Sequence, residues 1–132
     1  ERFEKPVLGE VKAGYDLLID ENFEGYEQVT QDDYYRGDFF LRVVGDSMSG
    51  AHIHDGDLLY VKKCQDVPSG TIAVVLIGRS EVTVKKVIKK EGLLILQPAN
   101  PSVDARYYSK EEVESLPVEI IGKALYSRSD LV

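Results

Sequence analysis

The sequence predicts a mainly-β fold, a compact barrel-like or sandwich domain of short strands with little helix. Its apolar residues occur in short runs, and Gly, Pro, Asp and Asn separate these runs as turn residues do. Helix patterns are scarce. The length of 132 residues suits one domain with one modest core, and 43% apolar and 30% charged residues are typical of globular proteins.

Six segments carry the strand pattern, each rich in Val, Ile, Leu or Phe and bounded by turn residues. They are residues 39–44, 57–61, 71–77, 81–88, 93–96 and 118–125. A turn at Gly78-Arg79-Ser80 would join the third and fourth segments as a hairpin. Short strands at this close spacing favour a barrel or a sandwich.

Two other segments differ from this pattern. Ser109-Lys110-Glu111-Glu112 fits a helix capping box, which predicts a helical turn there. Residues 11–27 contain two glycines and many carboxylates between short apolar patches. We therefore expect a flexible or loosely docked arm in this part, and divide the chain into an arm and linker over residues 1–25 and a folded domain over residues 26–132.

Composition limits the classes of function. A net charge of −7 argues against binding of a phosphate backbone by this piece alone. No apolar run approaches the ~20 residues of a membrane span, so we expect a soluble, cytoplasmic protein with no membrane contact. The lone Cys64 excludes an internal disulfide. Because Met48 is the only methionine, we expect the chain to be a piece of a longer protein.

Ser47 is the first candidate for chemistry. It follows a strand end and Gly45-Asp46, where a sharp turn could expose its hydroxyl beside free backbone N–H groups. A nucleophile next to an oxyanion site needs that arrangement. Serine is also common in turns that have no catalytic role, so this segment alone leaves both interpretations open.

Lys85 is the second candidate. Along a strand it would share one face with Thr83, but lysines interrupt both faces, and periodicity does not decide whether Lys85 or Lys86 is buried. A lysine buried among apolar neighbours has a lowered pKa, and its neutral amine can accept a proton from a serine hydroxyl. The alternative is a solvent-exposed basic hairpin.

His52 and His54 offer competing interpretations. A histidine near Ser47 could be a general base, and a His-x-His pair could begin a metal site. The sequence has no further histidine, and its carboxylates show no ligand pattern. We therefore interpret both as loop histidines facing solvent, and predict neither a metal nor a cofactor.

Taken together, several motifs resemble the LexA-like self-cleaving repressors in order and spacing. They are residues 40–48, 55–59, 65–67 with Gly70, 81–86 and 96–101, within a resemblance that runs from about residue 11 to residue 125. The resemblance implies a LexA-type β-fold and an intramolecular serine peptidase. In it, Ser47 is the nucleophile, Lys85 is the general base, and the backbone N–H groups of Asp46 and Ser47 form the oxyanion site.

Members of this family cleave their own chain at a small-residue–Gly bond ahead of the catalytic core. Ala13-Gly14 stands at that place and is the expected scissile bond. Lys12 departs from the small or apolar residue that is usual there. The resemblance thus makes residues 1–25 a cleavage-site arm with its linker, and residues 26–132 a Ser/Lys peptidase and dimerisation domain.

The resemblance also implies partners. A homodimer is expected, with operator DNA bound through an N-terminal helix-turn-helix domain absent from this chain. A RecA filament or another inducer would trigger cleavage and so end repression, as in the SOS response or prophage induction. We expect dimerisation through the last strand, around residues 119–125, at a sheet edge.

Two alternatives remain open at this stage. One is a phage-type repressor dimerisation domain that does not cleave and answers to an antirepressor. The other is a mutagenesis-polymerase accessory subunit of the same fold. A signal peptidase shares the Ser/Lys chemistry, but would need a membrane anchor that this sequence does not show.

Overall fold

Residues 2–9 and 23–129 are described by a computed structural model. Nine strands of this part form one mixed sheet. The strands are β1 Glu4–Leu8, β2 Phe23–Gln28, β3 Phe39–Arg42, β4 Leu58–Lys63, β5 Thr71–Ile77, β6 Glu81–Lys90, β7 Leu93–Gln97, β8 Arg106–Tyr108 and β9 Val118–Arg128. The helices are α1 Gln31–Tyr34 and α2 Lys110–Ser115, with a 3-10 turn at Ser49–Ala51.

The sheet has the order β2-β1-β3-β4-β9-β5-β6-β7-β8. Neighbouring strands are antiparallel except β1 and β3, which are parallel. The mainly-β class predicted from the sequence is confirmed. All six predicted strands are present, and the hairpin at Gly78-Arg79-Ser80 joins β5 to β6.

Two large clusters of buried side chains fill the core. One includes Leu41, Met48 and Ile53, so it packs directly behind the Ser47 turn. The other includes Val75 and Leu96, among side chains from β5 to β9. The nucleophile candidate therefore follows a strand whose residues are anchored in the core.

The N-terminal part contains two strands that the sequence pattern did not indicate. Residues 23–28 form β2, where we expected a flexible or loosely docked arm rather than a core strand. β2 pairs with β1 alone and is mostly exposed, which explains why its sequence lacks an apolar pattern. β1 was not predicted either, although Val7 and Leu8 are buried. The division between residues 25 and 26 falls inside β2, and Ala13-Gly14 lies outside the described residues.

The last strand is also placed differently from the expectation. β9 lies between β4 and β5, so the prediction that it is an edge strand is wrong for the strand as a whole. Its first half pairs with β5 and its second half with β4. Among the described residues, the segment from Ala124 to Arg128 has a strand partner on one side alone.

The predicted helical turn is confirmed. The Ser109 hydroxyl accepts a hydrogen bond from the Glu112 N–H at 3.2 Å, and the Glu112 carboxylate accepts one from the Ser109 N–H at 3.0 Å. These two bonds form a complete capping box at the start of α2. Within residues 2–9 and 23–129, no helix has the length and apolar character that a membrane crossing requires.

Gly122→Ala should destabilise the fold by about 1–3 kcal/mol, because overpacking a buried strand forces its neighbours to move. A Cβ at Gly122 would overlap the Val61 side chain and the Lys62 carbonyl oxygen. Urea unfolding measures the loss. The exposed Glu119 of the same strand gives the control Glu119→Ala, and equal stability of the two variants would contradict this account of the β4–β9 contact.

Candidate active site

Ser47 and Lys85 meet in the structure, although 38 residues separate them in the chain. The Lys85 Nζ lies 3.0 Å from the Ser47 Oγ, within hydrogen-bond distance. Ser47 stands on the loop after β3, and Lys85 projects from β6. The structure therefore brings together the two side chains that the sequence analysis singled out separately.

The structure decides which lysine is buried. Lys85 is 7% exposed, whereas Lys86 is exposed. Burial lowers the pKa of Lys85 because an ammonium loses its hydration, and the nearby positive charge of Arg106 lowers this pKa further. The Glu81 carboxylate opposes both effects.

Arg106 and Glu81 form an ion pair on the wall of the same cleft. The Arg106 guanidinium holds the pKa of Glu81 below its usual value. Arg106 also donates to the hydroxyl of Tyr108, two residues along β8, at 3.4 Å. The charges nearest to Lys85 are thus one cation and one anion bound to each other.

Thr83 is a further member of the site that the sequence analysis did not single out. The Lys85 Nζ donates a hydrogen bond to the Thr83 Oγ1 at 2.6 Å. The signal was present in the sequence, since residues two apart on a strand share a face. This bond orients the Lys85 amine, whose nitrogen also lies within hydrogen-bond distance of the Ser47 hydroxyl.

The turn that carries Ser47 is held from two sides. The Gly45 N–H donates to the Asp55 carboxylate at 2.8 Å, and Gly45 has a φ of 91°, a conformation that favours glycine. The Asn100 side-chain amide donates to the Asp46 carbonyl at 3.0 Å, and the Ala99 N–H donates to the Ser47 carbonyl at 2.8 Å. These bonds fix the backbone on both sides of the serine.

The turn at residues 55–57 supports this loop from below. The Gly56 N–H donates to the Val43 carbonyl at 2.8 Å. Asp57 is 4% exposed, and its carboxylate accepts hydrogen bonds from the His54 N–H at 2.8 Å and from the Ser129 hydroxyl at 2.6 Å. Asp55 and Asp57 therefore accept hydrogen bonds from backbone N–H groups and from a hydroxyl next to the Ser47 loop.

The backbone N–H groups of Asp46 and Ser47 have no hydrogen-bond acceptor within residues 2–9 and 23–129. The Gly45 N–H before them donates to Asp55, and the Ser49 N–H after them donates to the Asp46 carbonyl at 3.1 Å. The N–H of Met48 also has no acceptor among the described residues, so the donors at the serine include the adjacent pair that an oxyanion site requires.

A cleft of about 570 Å³ opens over these groups. Ser47, Lys85 and Thr83 line it together with Arg106. Gly9, which follows β1, lines it as well. The residue that directly precedes the segment 10–22, which contains Ala13-Gly14, is therefore part of the cleft wall.

The two histidines lie on the exposed loop after the 3-10 turn. Among the described residues, neither the His52 side chain nor the His54 side chain forms a hydrogen bond with Ser47. In the same part of the chain, no group of three or more His, Cys, Asp or Glu side chains has an arrangement suited to a metal ion. Their placement agrees with the interpretation as loop histidines.

The family model described as Peptidase S24-like matches residues 6–125. The chain belongs to the peptidase S24-like family. The match includes both Ser47 and Lys85, and its range agrees with the resemblance to LexA-like proteins inferred from the motifs.

Curated relatives of this S24-like chain carry the name LexA repressor. The protein of Erwinia tasmaniensis is 41% identical over 122 residues, which are 88% of this chain and 59% of the relative. That of Methylococcus capsulatus is 44% identical over 97 residues, 73% of this chain and 48% of the relative. That of Lacticaseibacillus casei is 35% identical over 122 residues, 91% and 59% respectively. The chain thus spans about half to three fifths of the length of these relatives.

Lys85→Met should raise the free energy of unfolding at neutral pH, because methionine fills the site without desolvating a charge. The pKa of Lys85 is lowered by burial, so between the folded-state pKa and 10.5 the unfolded chain binds more protons than the folded chain. The free energy of unfolding of the parent therefore increases as the pH rises through this window. The difference in this free energy between the parent and Lys85→Met becomes smaller.

Urea unfolding of parent and variant at neutral pH and at pH 10.5 measures this change. Lys86→Met is the control, because Lys86 is an exposed neighbour on the same strand. A difference between parent and Lys85→Met that stays constant over this range would contradict a lowered pKa for Lys85.

Proposed function

We propose that this chain is the autoproteolytic and dimerisation domain of a LexA-like transcriptional repressor, and that it cleaves its own Ala13-Gly14 bond. The observation that carries the proposal is the 3.0 Å contact between the buried Lys85 amine and the Ser47 hydroxyl. Membership of the S24-like family and the names of the curated relatives support it. A hydroxyl beside an uncharged amine needs no histidine to become a nucleophile.

The proposed chemistry uses two proton transfers. Neutral Lys85 takes the proton of Ser47 as the hydroxyl oxygen attacks the Ala13 carbonyl carbon. The backbone N–H groups of Asp46 and Ser47 stabilise the oxyanion. Lys85 then gives the proton to the Gly14 nitrogen, which leaves as an amine. Water hydrolyses the ester between Ser47 and Ala13 and restores the free hydroxyl.

The substrate is expected to be the chain's own arm, because Gly9 lines the cleft and Ala13 is the fourth residue after it. Four residues span at most about 14 Å, so the tether keeps the bond near Ser47. Such a reaction is intramolecular and occurs once per chain. Its rate depends on how often the arm occupies the cleft, which a partner such as a RecA filament or another inducer could increase.

Cleavage would end repression by separating two activities. A dimer binds two operator half-sites together, so it holds DNA far more tightly than either DNA-binding domain alone. In this proposal the DNA-binding domain precedes residue 1, in the part of a repressor that this chain does not span. Hydrolysis of Ala13-Gly14 then breaks the covalent link between it and the dimerisation domain, in the cytoplasm of the cell.

Self-cleavage should be observed directly on the chain. Denaturing mass spectrometry after incubation should show products of residues 1–13 and 14–132. The rate should rise with pH and level off above the pKa of Lys85, which burial places below 10.5, because only the neutral amine accepts the serine proton.

Ser47→Ala and Lys85→Met should both lose cleavage, whereas Lys86→Met should retain it. Products from Ser47→Ala, or a rate that does not change with pH, would exclude this dyad. A folded parent that stays intact at alkaline pH would instead favour the non-cleaving repressor domain.

Dimerisation is expected along the segment from Ala124 to Arg128, whose strand partner is β4 alone among the described residues. An unpaired strand edge can pair with the same edge of a second copy. Light scattering at high concentration should give twice the mass of one chain, and amide exchange in residues 124–128 should accelerate on dilution. A monomer at every concentration would remove this part of the proposal.

A further inference from the structure

Glu24 and Arg42 form an ion pair at the rim of the Ser47 cleft. The Arg42 Nε donates to the Glu24 carboxylate at 2.9 Å, and each side chain is 38% exposed. Glu24 is the second residue of β2, the strand that follows residues 10–22, and Arg42 is the last residue of β3. The pair therefore joins the end of the cleavage arm to the strand that leads to the nucleophile.

Arg42 makes a second contact that extends this connection. Its Nη1 donates to the Gly56 carbonyl at 2.9 Å, and the Gly56 N–H in turn donates to the Val43 carbonyl at 2.8 Å. One guanidinium thus bridges β2 and the turn that supports the Ser47 loop. Arg42 is also part of the cleft wall.

Glu24 lies against the other end of the arm as well. A Cβ placed on Gly9 would overlap the Glu24 carboxylate, so the absence of a side chain at Gly9 makes room for that carboxylate. Gly9 directly precedes residues 10–22, and Glu24 is the second residue after them. The Glu24 carboxylate therefore lies against the residue that directly precedes the segment containing Ala13-Gly14.

We propose that Glu24 and Arg42 are positioning residues for self-cleavage, and that their ion pair keeps the arm-proximal end of the β1–β2 ladder, where Leu8 pairs with Phe23, closed at the rim of the Ser47 cleft. The inference rests on the proposed self-cleavage. The ladder itself brings the two ends of the arm together, and a ladder end that does not fray presents the substrate loop to the nucleophile at a higher effective concentration than a frayed end. Neither residue touches the scissile bond in this account, so both act through the position of the arm.

The size and salt dependence of the effect follow from the exposure of the pair. An ion pair this accessible to solvent changes an equilibrium by about two- to fivefold. Salt screens such a pair, because the Debye length falls from ~30 Å at 0.01 M to ~8 Å at 0.15 M ionic strength. Cleavage of the parent should therefore slow as salt is added, and a chain without the pair should lose this response.

The test compares the parent with Glu24→Gln, which keeps the shape of the side chain and removes its charge. Self-cleavage is measured at alkaline pH and low ionic strength, and Ser47 is labelled separately with a fluorophosphonate. Glu24→Gln should cleave about two- to fivefold more slowly and respond less to salt. Its labelling should be unchanged or faster, because the dyad is intact and the arm covers Ser47 less often.

Gly9→Ala provides an independent second variant, since its added Cβ displaces the Glu24 carboxylate without changing any charge. Gly9→Ala should cleave more slowly than the parent, as Glu24→Gln does. Asp66→Asn is the matched control, because it removes another exposed ion pair, between Asp66 and Lys89, that does not line the Ser47 cleft. It should cleave at the parental rate.

The outcomes separate this inference from the proposed function. Glu24→Gln cleavage at the parental rate or faster would overturn the positioning role. So would slower labelling of Ser47 in that variant, because it would indicate a damaged nucleophile turn. A parent that neither cleaves nor takes up the label would overturn the proposed function, and this inference with it.

Discussion

Removal of the Lys85 amine from water is the constraint on which the rest of the site depends. An ammonium ion in that position would be poorly solvated and could not accept a proton, whereas the neutral amine is both tolerated by its surroundings and basic. The hydroxyls of Ser47 and Thr83 supply the polar contacts that such an amine needs. The same burial therefore supports the proposed role of Lys85 as a base and implies a cost in stability at neutral pH.

Support for this site comes from segments that are far apart in the chain. Asp55 and Asn100 bind the backbone just before the serine, at Gly45 and Asp46, while Met48 is buried in the core directly after it. Gly50 approaches the segment that contains Ala99 so closely that a Cβ on Gly50 would lie 2.5 Å from the Ala99 carbonyl oxygen. A hydroxyl held by this many backbone contacts needs little reorganisation before it reacts.

The strands of the core were predictable because apolar runs and turn residues mark them locally. Ser47 and Lys85 could be named from the sequence, where the family resemblance selected Lys85. Periodicity alone left open whether Lys85 or Lys86 is buried, because burial depends on how β6 pairs with its neighbours. β2 escaped prediction because an exposed edge strand needs no apolar face. The interior place of β9 depends on pairing with β4 and β5, distant strands whose order a single sequence does not reveal.

The position of β1 has a consequence for any cut made after it. β1 lies between β2 and β3, with Val7 and Leu8 in the core, so a break between residues 13 and 14 leaves it inserted as a strand of the sheet. Hydrolysis and physical separation are then two events with separate rates. The lifetime of the nicked complex is set by the dissociation of one short strand, as in fragment complementation.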